Sequence, residues 1–172
     1  MGAARVEGVF LRAAAIAVWV ALAASGCALI GAPNGKDAAK LDEAGIRAFR
    51  ASEEAAWVAH DFGHYYALCA PDAVFVSVRW NADGTFSRER RTAAEDRAAA
   101  EAFFGKHPGK FTESDAIDRI VIAPDGQSAR ILGHEIARVE GERGAMRATT
   151  EETVVLRGGR ILSLGQTDTQ VK

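Results

Sequence analysis

The sequence predicts one α+β domain in which about three helices precede an antiparallel sheet. The first half of the chain holds segments with helical periodicity and one short strand, and from residue 111 onward four strand-like runs follow one another. A length of 172 residues with 48% hydrophobic and 26% charged side chains suits one globular domain. The formal net charge of −2 and the lack of a basic run of five residues argue against binding to nucleic acid or to an anionic membrane.

The first 26 residues read as a secretory signal. Arg5 and Arg12 flank an apolar run over residues 13–24, which is shorter than the ~20 residues that a membrane-spanning helix needs. Small residues then lead to Cys27 in the sequence Ala-Ser-Gly-Cys. This site resembles the lipobox of bacterial lipoproteins, which implies cleavage before Cys27 and attachment of lipid to its sulfur. A plainly secreted protein in which Cys27 is incidental is the alternative.

Residues 27–40 are expected to form the lipid attachment site and a flexible tether, because Gly31, Pro33 and Gly35 interrupt regular structure. The other cysteine is Cys69, so a lipid on Cys27 leaves no intramolecular disulfide. We therefore expect a protein anchored by lipid on the periplasmic side of the bacterial cell envelope, at the outer membrane, with its folded domain over residues 41–169.

Three helices are expected at the start of the domain. Apolar residues at steps of three and four predict the first over Leu41–Ala59. A break at Asp61, which is expected to cap the next helix, precedes a short helix over Tyr65–Cys69. A third helix over Thr92–Phe104 opens with a capping box that includes Glu95.

Strands make up the remainder of the domain. Alternating side chains predict a strand over Val74–Arg79, followed by a turn and by a charged, solvated surface segment, Ser87–Arg91. Hairpin signals then separate the four runs of a meander, Phe111–Ala123, Ser128–Val139, Met146–Leu156 and Arg160–Thr167. Runs of this length are expected to curve, with Gly133 a candidate bend, and the helices are expected to fill the concave side.

This order of elements resembles the NTF2-like superfamily, in particular its SnoaL-like and DUF4440-type members. The resemblance covers Leu41 to Thr169 and includes the motifs AW-x3-D from Ala56, APDAVF from Ala70 and TVVLRGGRI from Thr153. It implies a cone formed by a strongly bent antiparallel sheet, one strand plus a four-stranded meander, wrapped around about three helices. It also implies a pocket at the wide end. Members include ketosteroid isomerases, cyclases, dehydratases and noncatalytic binding modules, so the resemblance leaves the function open.

Isomerase chemistry on this fold needs a carboxylate base on the first strand and an oxyanion hole made of a tyrosine and a protonated acid. Matching of elements places the base near Ser77, the tyrosine near Glu53 and the acid near Glu152. Since serine cannot remove a carbon-bound proton unaided, the sequence argues against this reaction.

Four residues remain as catalytic candidates: Asp61, His64, His134 and Glu152. The alternative role for Asp61 is the helix cap, and for His134 an interior position on the face shared by Leu132 and Ile136. Glu152 is either a buried carboxylate, for which Arg79 or Arg130 is a candidate partner, or a solvated residue at the rim. The spacing of His60 and His64 lacks a third ligand, so no metal site is expected, and no cofactor is expected.

The expected pocket wall comprises Trp57, Tyr65, Phe75, Ser77, Arg79, His134, Glu152 and Gln166. The first hypothesis for function is a noncatalytic domain that binds a small apolar molecule or an envelope protein. A small pocket enzyme of the cyclase, dehydratase or isomerase type is the second. The third is a structural module that forms a homodimer through the outer face of its sheet.

Overall fold

The computed structural model describes residues 40–107, 111–139 and 145–171, so that Cys27 and the predicted signal and tether lie outside the described residues. The helices are α1 (Glu43–Val58), α2 (Phe62–Ala67) and α3 (Ala93–Lys106), and the strands are β1 (Val74–Trp80), β2 (Phe86–Thr92), β3 (Phe111–Ile122), β4 (Ser128–Val139), β5 (Met146–Arg157) and β6 (Arg160–Gln170). None of the described helices is long and apolar enough to cross a membrane.

Side-chain caps define where the helices begin. Asp42 caps α1 by accepting a hydrogen bond from the backbone N–H of Gly45 at 2.7 Å. Asp61 caps α2 in the same way, which confirms its predicted role but starts that helix three residues before the expected Tyr65. The predicted capping box of Thr92 and Glu95 is confirmed at the start of α3.

The structure contains one strand that the sequence analysis did not predict. The segment Ser87–Arg91, expected to be a solvated surface segment, lies within β2, which pairs antiparallel with β1 from Val74↔Thr92 to Trp80↔Phe86. The turn between the strands is closed by a 2.8 Å hydrogen bond from the N–H of Asn81 to the carbonyl of Thr85. Both faces of β2 are polar, so the alternation of apolar and polar residues that marks a half-buried strand is missing.

The six strands form one sheet in the order β2-β1-β6-β5-β4-β3. The expected α+β class and the bent sheet around three helices are confirmed, but the sheet is mixed because β1 pairs parallel with β6. Register shifts interrupt β3 between Ile117 and Arg119 and the β5–β6 pairing between Glu152 and Val154. Gly133 faces the first irregularity, and a Cβ there would overlap the carbonyl of Ala116, which agrees with its predicted place at a bend.

The helices cover one face of the sheet, which we call the concave face. Near the start of α1, Ile46 and Phe49 pack against Ala129, Ile131 and Val154 of β4 and β5. Near its end, the helices contribute a second apolar cluster rich in aromatic rings, with members Trp57, Phe62, Tyr65, Phe75, Phe103 and Phe104. The middle of α1 lies between these two clusters and carries the charged residues of the candidate site.

Candidate functional site

Arg50 is the centre of a buried network of ion pairs. It follows Ile46 by one helical turn and precedes Glu53 by one, so that all three side chains lie on the buried face of α1. Its Nη1 donates to Oε2 of Glu53 at 3.1 Å and to Oε2 of Glu152 at 2.9 Å. Its Nη2 donates to Oδ2 of Asp115. One guanidinium thus binds carboxylates from α1, β3 and β5.

The network compensates for the burial of charge. Glu53 and Glu152 are 1% and 2% exposed, and removing an ionised carboxylate from water is costly unless a cation and hydrogen bonds replace the solvent. Arg50 supplies the cation for both acids, and its planar fork reaches several oxygens at once. The arrangement makes these carboxylates depend on a single arginine.

Glu152 is fixed at both of its oxygens. Ser163 Oγ donates to Oε1 at 2.6 Å while Arg50 binds Oε2, and the N–H of Gly165 donates to Ser163 Oγ at 3.1 Å. The structure therefore places Glu152 in the interior and not at the rim. Its partner is neither of the arginines proposed from the sequence.

Those two arginines have other surroundings. Arg130 forms an ion pair with Glu151 at 2.7 Å on the opposite face of the sheet. Arg79 extends from β1 on the face of Ser77, and burial lowers the pKa of its guanidinium, an effect that nearby Glu89 opposes. The sequence could not choose among the arginines because Arg50 lies 102 residues from Glu152.

A second polar group lies on the concave face, on β6 and β1. Gln166 and Asp168 are buried, and Nε2 of Gln166 donates to Oδ1 of Asp168. The parallel register places Ser77 beside Asp168, so a carboxylate lies on the strand next to the predicted position of the base. Glu135 of β4 and Thr150 of β5 are buried on the same face. The concave side is thus polar between its two apolar clusters.

An open cleft of about 230 Å³ lies between α1 and β3, and Arg50 and Asp115 belong to its wall. Its lining residues are Arg47, Arg50, Glu54, Asp115 and Ile117. Arg47 is held by Glu43 at 2.7 Å, and Arg50 by the buried acids. The cleft therefore presents charges of both signs to solvent.

The predicted aromatic wall residues form part of the core. Trp57, Tyr65 and Phe75 are all buried in the aromatic cluster. The ring centroid of Trp57 lies 5.1 Å from that of Tyr65 and 5.6 Å from that of Phe104, distances at which rings pack edge to face or tilted. Neighbouring side chains from α2 and α3 therefore surround these rings.

His134 lies on the outer, convex face of the sheet. The buried residues of β4 are the odd-numbered ones from Ala129 to Ala137, so His134 points away from the concave side. Its imidazole is half exposed, with Nδ1 3.0 Å from the carboxylate of Asp118. The predicted interior position of His134 and its predicted position in the pocket wall are therefore both wrong. Apolar side chains occur among both the even-numbered and the odd-numbered residues of β4, and the sequence analysis took the face of Leu132 and Ile136 to be the inner one.

Asp61 and His64 are exposed at the start of α2, outside the buried polar group. The contact between them joins the backbone N–H of His64 to Oδ1 of Asp61 at 2.9 Å, which is a cap and not a base with an orienting acid. Within the three described ranges, no group of three His, Cys, Asp or Glu side chains is arranged to hold a metal ion.

Four charged residues of the concave side were missed in the sequence: Arg50, Asp115, Glu135 and Asp168. Arg50 and Glu53 gave a usable signal, since they continue the apolar face of α1 at the spacing of Ile46 and Phe49. Glu135 lies among the odd-numbered residues of β4, which include Gly133 and two alanines. In the sequence this face looks less apolar than the face of the even-numbered residues. Asp168 lay just past the predicted end of the last strand.

No protein-family model matches the chain. No curated protein matches it either.

Solved structures do match. A Nostoc punctiforme domain of unknown function with a cystatin-like fold aligns with a TM-score of 0.59 at 18% identity, over 76% of this chain and 78% of that one. An NTF2-like protein from Cytophaga hutchinsonii aligns with a TM-score of 0.54 at 13% identity, over 76% of this chain and 100% of that one. A ketosteroid isomerase-like protein from Erwinia carotovora atroseptica aligns with a TM-score of 0.50 at 11% identity, over 74% of this chain and 94% of that one. The chain thus has the NTF2-like fold.

Proposed function

We propose that this chain, with its NTF2-like fold, is a lipid-anchored binding protein of the bacterial cell envelope. Its domain holds a small charged molecule in the cleft between α1 and β3 and carries out no chemistry on it. The observation that carries the proposal is that Arg50 binds three carboxylates and also lines the open cleft beside them.

The state of Glu152 supports a noncatalytic role. A general acid or base must exchange a proton with the substrate, and so needs an oxygen within reach of it. Both oxygens of Glu152 are bound within the protein, one by Arg50 and one by Ser163. His64 and His134, the histidine candidates, are exposed elsewhere.

The lining of the cleft supports a polar ligand and not the apolar one expected from the sequence. Four of the five lining residues are charged, two of each sign. Because the buried acids hold Arg50, a ligand meets its guanidinium with little loss of side-chain entropy. A volume of about 230 Å³ is below the ~300–1,000 Å³ of pockets for drug-sized ligands. A small molecule that carries both an ammonium and a carboxylate suits this cleft.

Retention at the membrane is supported by the sequence before the domain. The apolar run and the site at Cys27 resemble a lipoprotein signal, and 12 residues lie between Cys27 and Lys40. At ~3.3–3.6 Å per extended residue, this segment spans up to about 45 Å. The domain is therefore held close to the lipid surface while remaining free to turn.

The ligand is tested with a truncated chain that begins at Lys40. Metabolites that copurify with it are identified by native mass spectrometry, and free amino acids and small dicarboxylates are screened by thermal shift and calorimetry. We expect a zwitterionic compound to bind, and Glu54→Gln to weaken it at least about tenfold through the loss of one charge contact. Glu101→Gln, on the exposed face of α3, is the matched control and leaves the affinity unchanged.

Two results would refute this part of the proposal. If no compound copurifies and none of the screened compounds shifts the melting temperature, the ligand is excluded. Conversion of the bound compound during prolonged incubation would exclude the noncatalytic role.

The anchor is tested by labelling the full chain with radioactive palmitate in bacteria. We expect Cys27→Ala to lose the label and Cys69→Ala, which alters the buried cysteine of the domain, to keep it. Label retained in Cys27→Ala would disprove the lipobox.

A further inference from the structure

One end of the convex face carries exposed aromatic rings. Trp80 ends β1 and Phe86 begins β2, and their side chains are 40% and 64% exposed. The register pairs them, with ring centroids 6.0 Å apart and an edge-to-face arrangement. The indole Nε1 of Trp80 donates to the backbone carbonyl of Gln170 at 3.2 Å. The strand pairing, the contact between the rings and the hydrogen bond of Trp80 therefore hold the rings at the surface.

Arginines flank these rings on the same face. Arg88 lies opposite Val78 in β1, two residues along from Phe86. On the other side, the N–H of Val171, whose side chain is exposed, donates to the carbonyl of Arg147 at 2.8 Å. Trp80, Phe86, Arg88, Arg147 and Val171 together form what we call the sheet-end patch.

The charge of the sheet-end patch is not balanced as it is elsewhere on this face. Farther along, Arg130 is paired with Glu151 and His134 with Asp118. Within the described residues, Arg88 and Arg147 have no carboxylate within ion-pair distance. Arg90, two residues beyond Arg88, is also exposed, but it helps to lower the pKa of nearby Glu95 and is therefore not counted with the patch.

A nearby acid reduces the excess of positive charge at the patch but does not cancel it. Asp83, in the turn between β1 and β2, accepts hydrogen bonds from the side chain and N–H of Thr85, which lower its pKa and keep it ionised. The two arginines of the patch, Arg88 and Arg147, against this one carboxylate leave a positive surface around two aromatic rings.

We propose that the sheet-end patch docks the domain on an anionic lipid surface. Tryptophan and phenylalanine are favoured at the boundary between headgroups and acyl chains, and arginine is attracted to lipid phosphates. A bilayer is a broad partner that needs no complementary groove. The docking rests on the proposed anchor for its setting, since the tether at Cys27 keeps the patch within reach of the bilayer and so raises its effective concentration there.

The test uses the truncated chain from Lys40, which lacks Cys27, so that the result does not depend on the anchor. Its binding is measured by cosedimentation with vesicles of phosphatidylcholine alone or with 30% phosphatidylglycerol. We expect binding to the mixed vesicles, weakened by salt, and little binding to phosphatidylcholine. Trp57 is buried, so a blue shift of the tryptophan fluorescence on binding reports Trp80.

Substitutions then test the patch itself. Each arginine near an anionic surface contributes about fivefold to binding, so Arg88→Gln with Arg147→Gln should weaken it about 25-fold. The matched control, Arg130→Gln with Arg160→Gln, removes two exposed arginines outside the patch and should change binding less than about threefold. Phe86→Ser should also weaken binding and should reduce the blue shift of Trp80.

Three outcomes would overturn the docking: no binding to either vesicle, equal binding to both, or the same loss in the control pair as in the patch pair. Palmitate labelling at Cys27 is unaffected by any of these, so failure of the docking and failure of the anchor remain distinguishable.

Discussion

Arg50 of α1 donates a hydrogen bond of 2.9 Å from Nη1 to Oε2 of Glu152 in β5, although 102 positions separate the two residues in the chain. The bond joins the helix to the centre of the sheet between two apolar clusters. Glu53 and Asp115 share the same guanidinium. The guanidinium of Arg50 therefore links α1 to two strands, and Arg50 also lines the candidate cleft.

Replacing Arg50 by methionine should lower the free energy of unfolding by about 3–5 kcal/mol, because Glu53 and Glu152 lose their shared cation in the interior. Urea denaturation measures the loss. Arg47→Met, one turn earlier and exposed, removes only a surface pair with Glu43 and should cost less than about 1 kcal/mol. Equal effects of the two substitutions would contradict the network.

The double variant Arg50→Met with Glu152→Gln should be more stable than the sum of its single changes predicts. Glutamine keeps an oxygen that accepts from Ser163 and removes the uncompensated charge. We expect a coupling of about 0.5–3 kcal/mol between the two sites in a double-mutant cycle. Strict additivity would show that Arg50 and Glu152 do not interact.

Gly165→Ala should destabilise the domain by at least about 2 kcal/mol. The backbone of Gly165 has φ of 102°, and a Cβ there would overlap the carbonyl of Val74 at the start of β1. Gly105→Ala, in α3 with open space around it, should instead be neutral or stabilise by up to about 1 kcal/mol. A harmless Gly165→Ala would show that the β1–β6 contact is wrong.

Glu95→Gln should make the domain less sensitive to acid. Hydrogen bonds from the N–H and then the hydroxyl of Thr92 lower the pKa of Glu95, so its contribution to stability is present above the unfolded pKa of about 4.3 and is lost as the pH falls through the lower folded value. Glutamine keeps the capping box without titrating.

The measurement is urea denaturation from pH 7 to pH 2.5. The stability of the variant relative to the wild type should be constant above about pH 5.5 and should rise as the pH falls below about 4.5. Glu101→Gln, in the same helix but paired with Arg97, serves as the comparison. A relative stability of Glu95→Gln that does not change with pH would refute the role of Glu95.

Removing the tether should leave the domain intact. A chain that begins at Lys40 should keep the melting temperature of one that begins at Ala28, since we expect the tether to make no contact with the core. By contrast, Leu41→Ala should cost about 2–5 kcal/mol, because the Leu41 side chain is buried in the apolar cluster with Ile46 and Phe49. A lower melting temperature of the shorter chain would show that residues before Lys40 pack on the domain.

Local patterns were sufficient for much of the fold. The helical face that includes Ile46 and Phe49, the caps at Asp61 and Thr92, and the long meander runs each express a preference of a few neighbouring residues. The missed strand, β2, has no such local signal, since its side chains are polar on both faces and its place is set by pairing with β1.

The sequence by itself determined the three helices, five of the six strands, their order along the chain and the concave geometry that a curved sheet around helices requires. Tertiary structure alone decided which face of β4 is inside, and so placed Glu135 in the interior and His134 outside. It also decided that Arg50 holds Glu152, and that Arg88 and Arg147 lie on either side of Trp80 although the chain has no basic run. The physical reason is the same in each case: charge and burial depend on distances in space, which strand register sets between residues far apart in the chain.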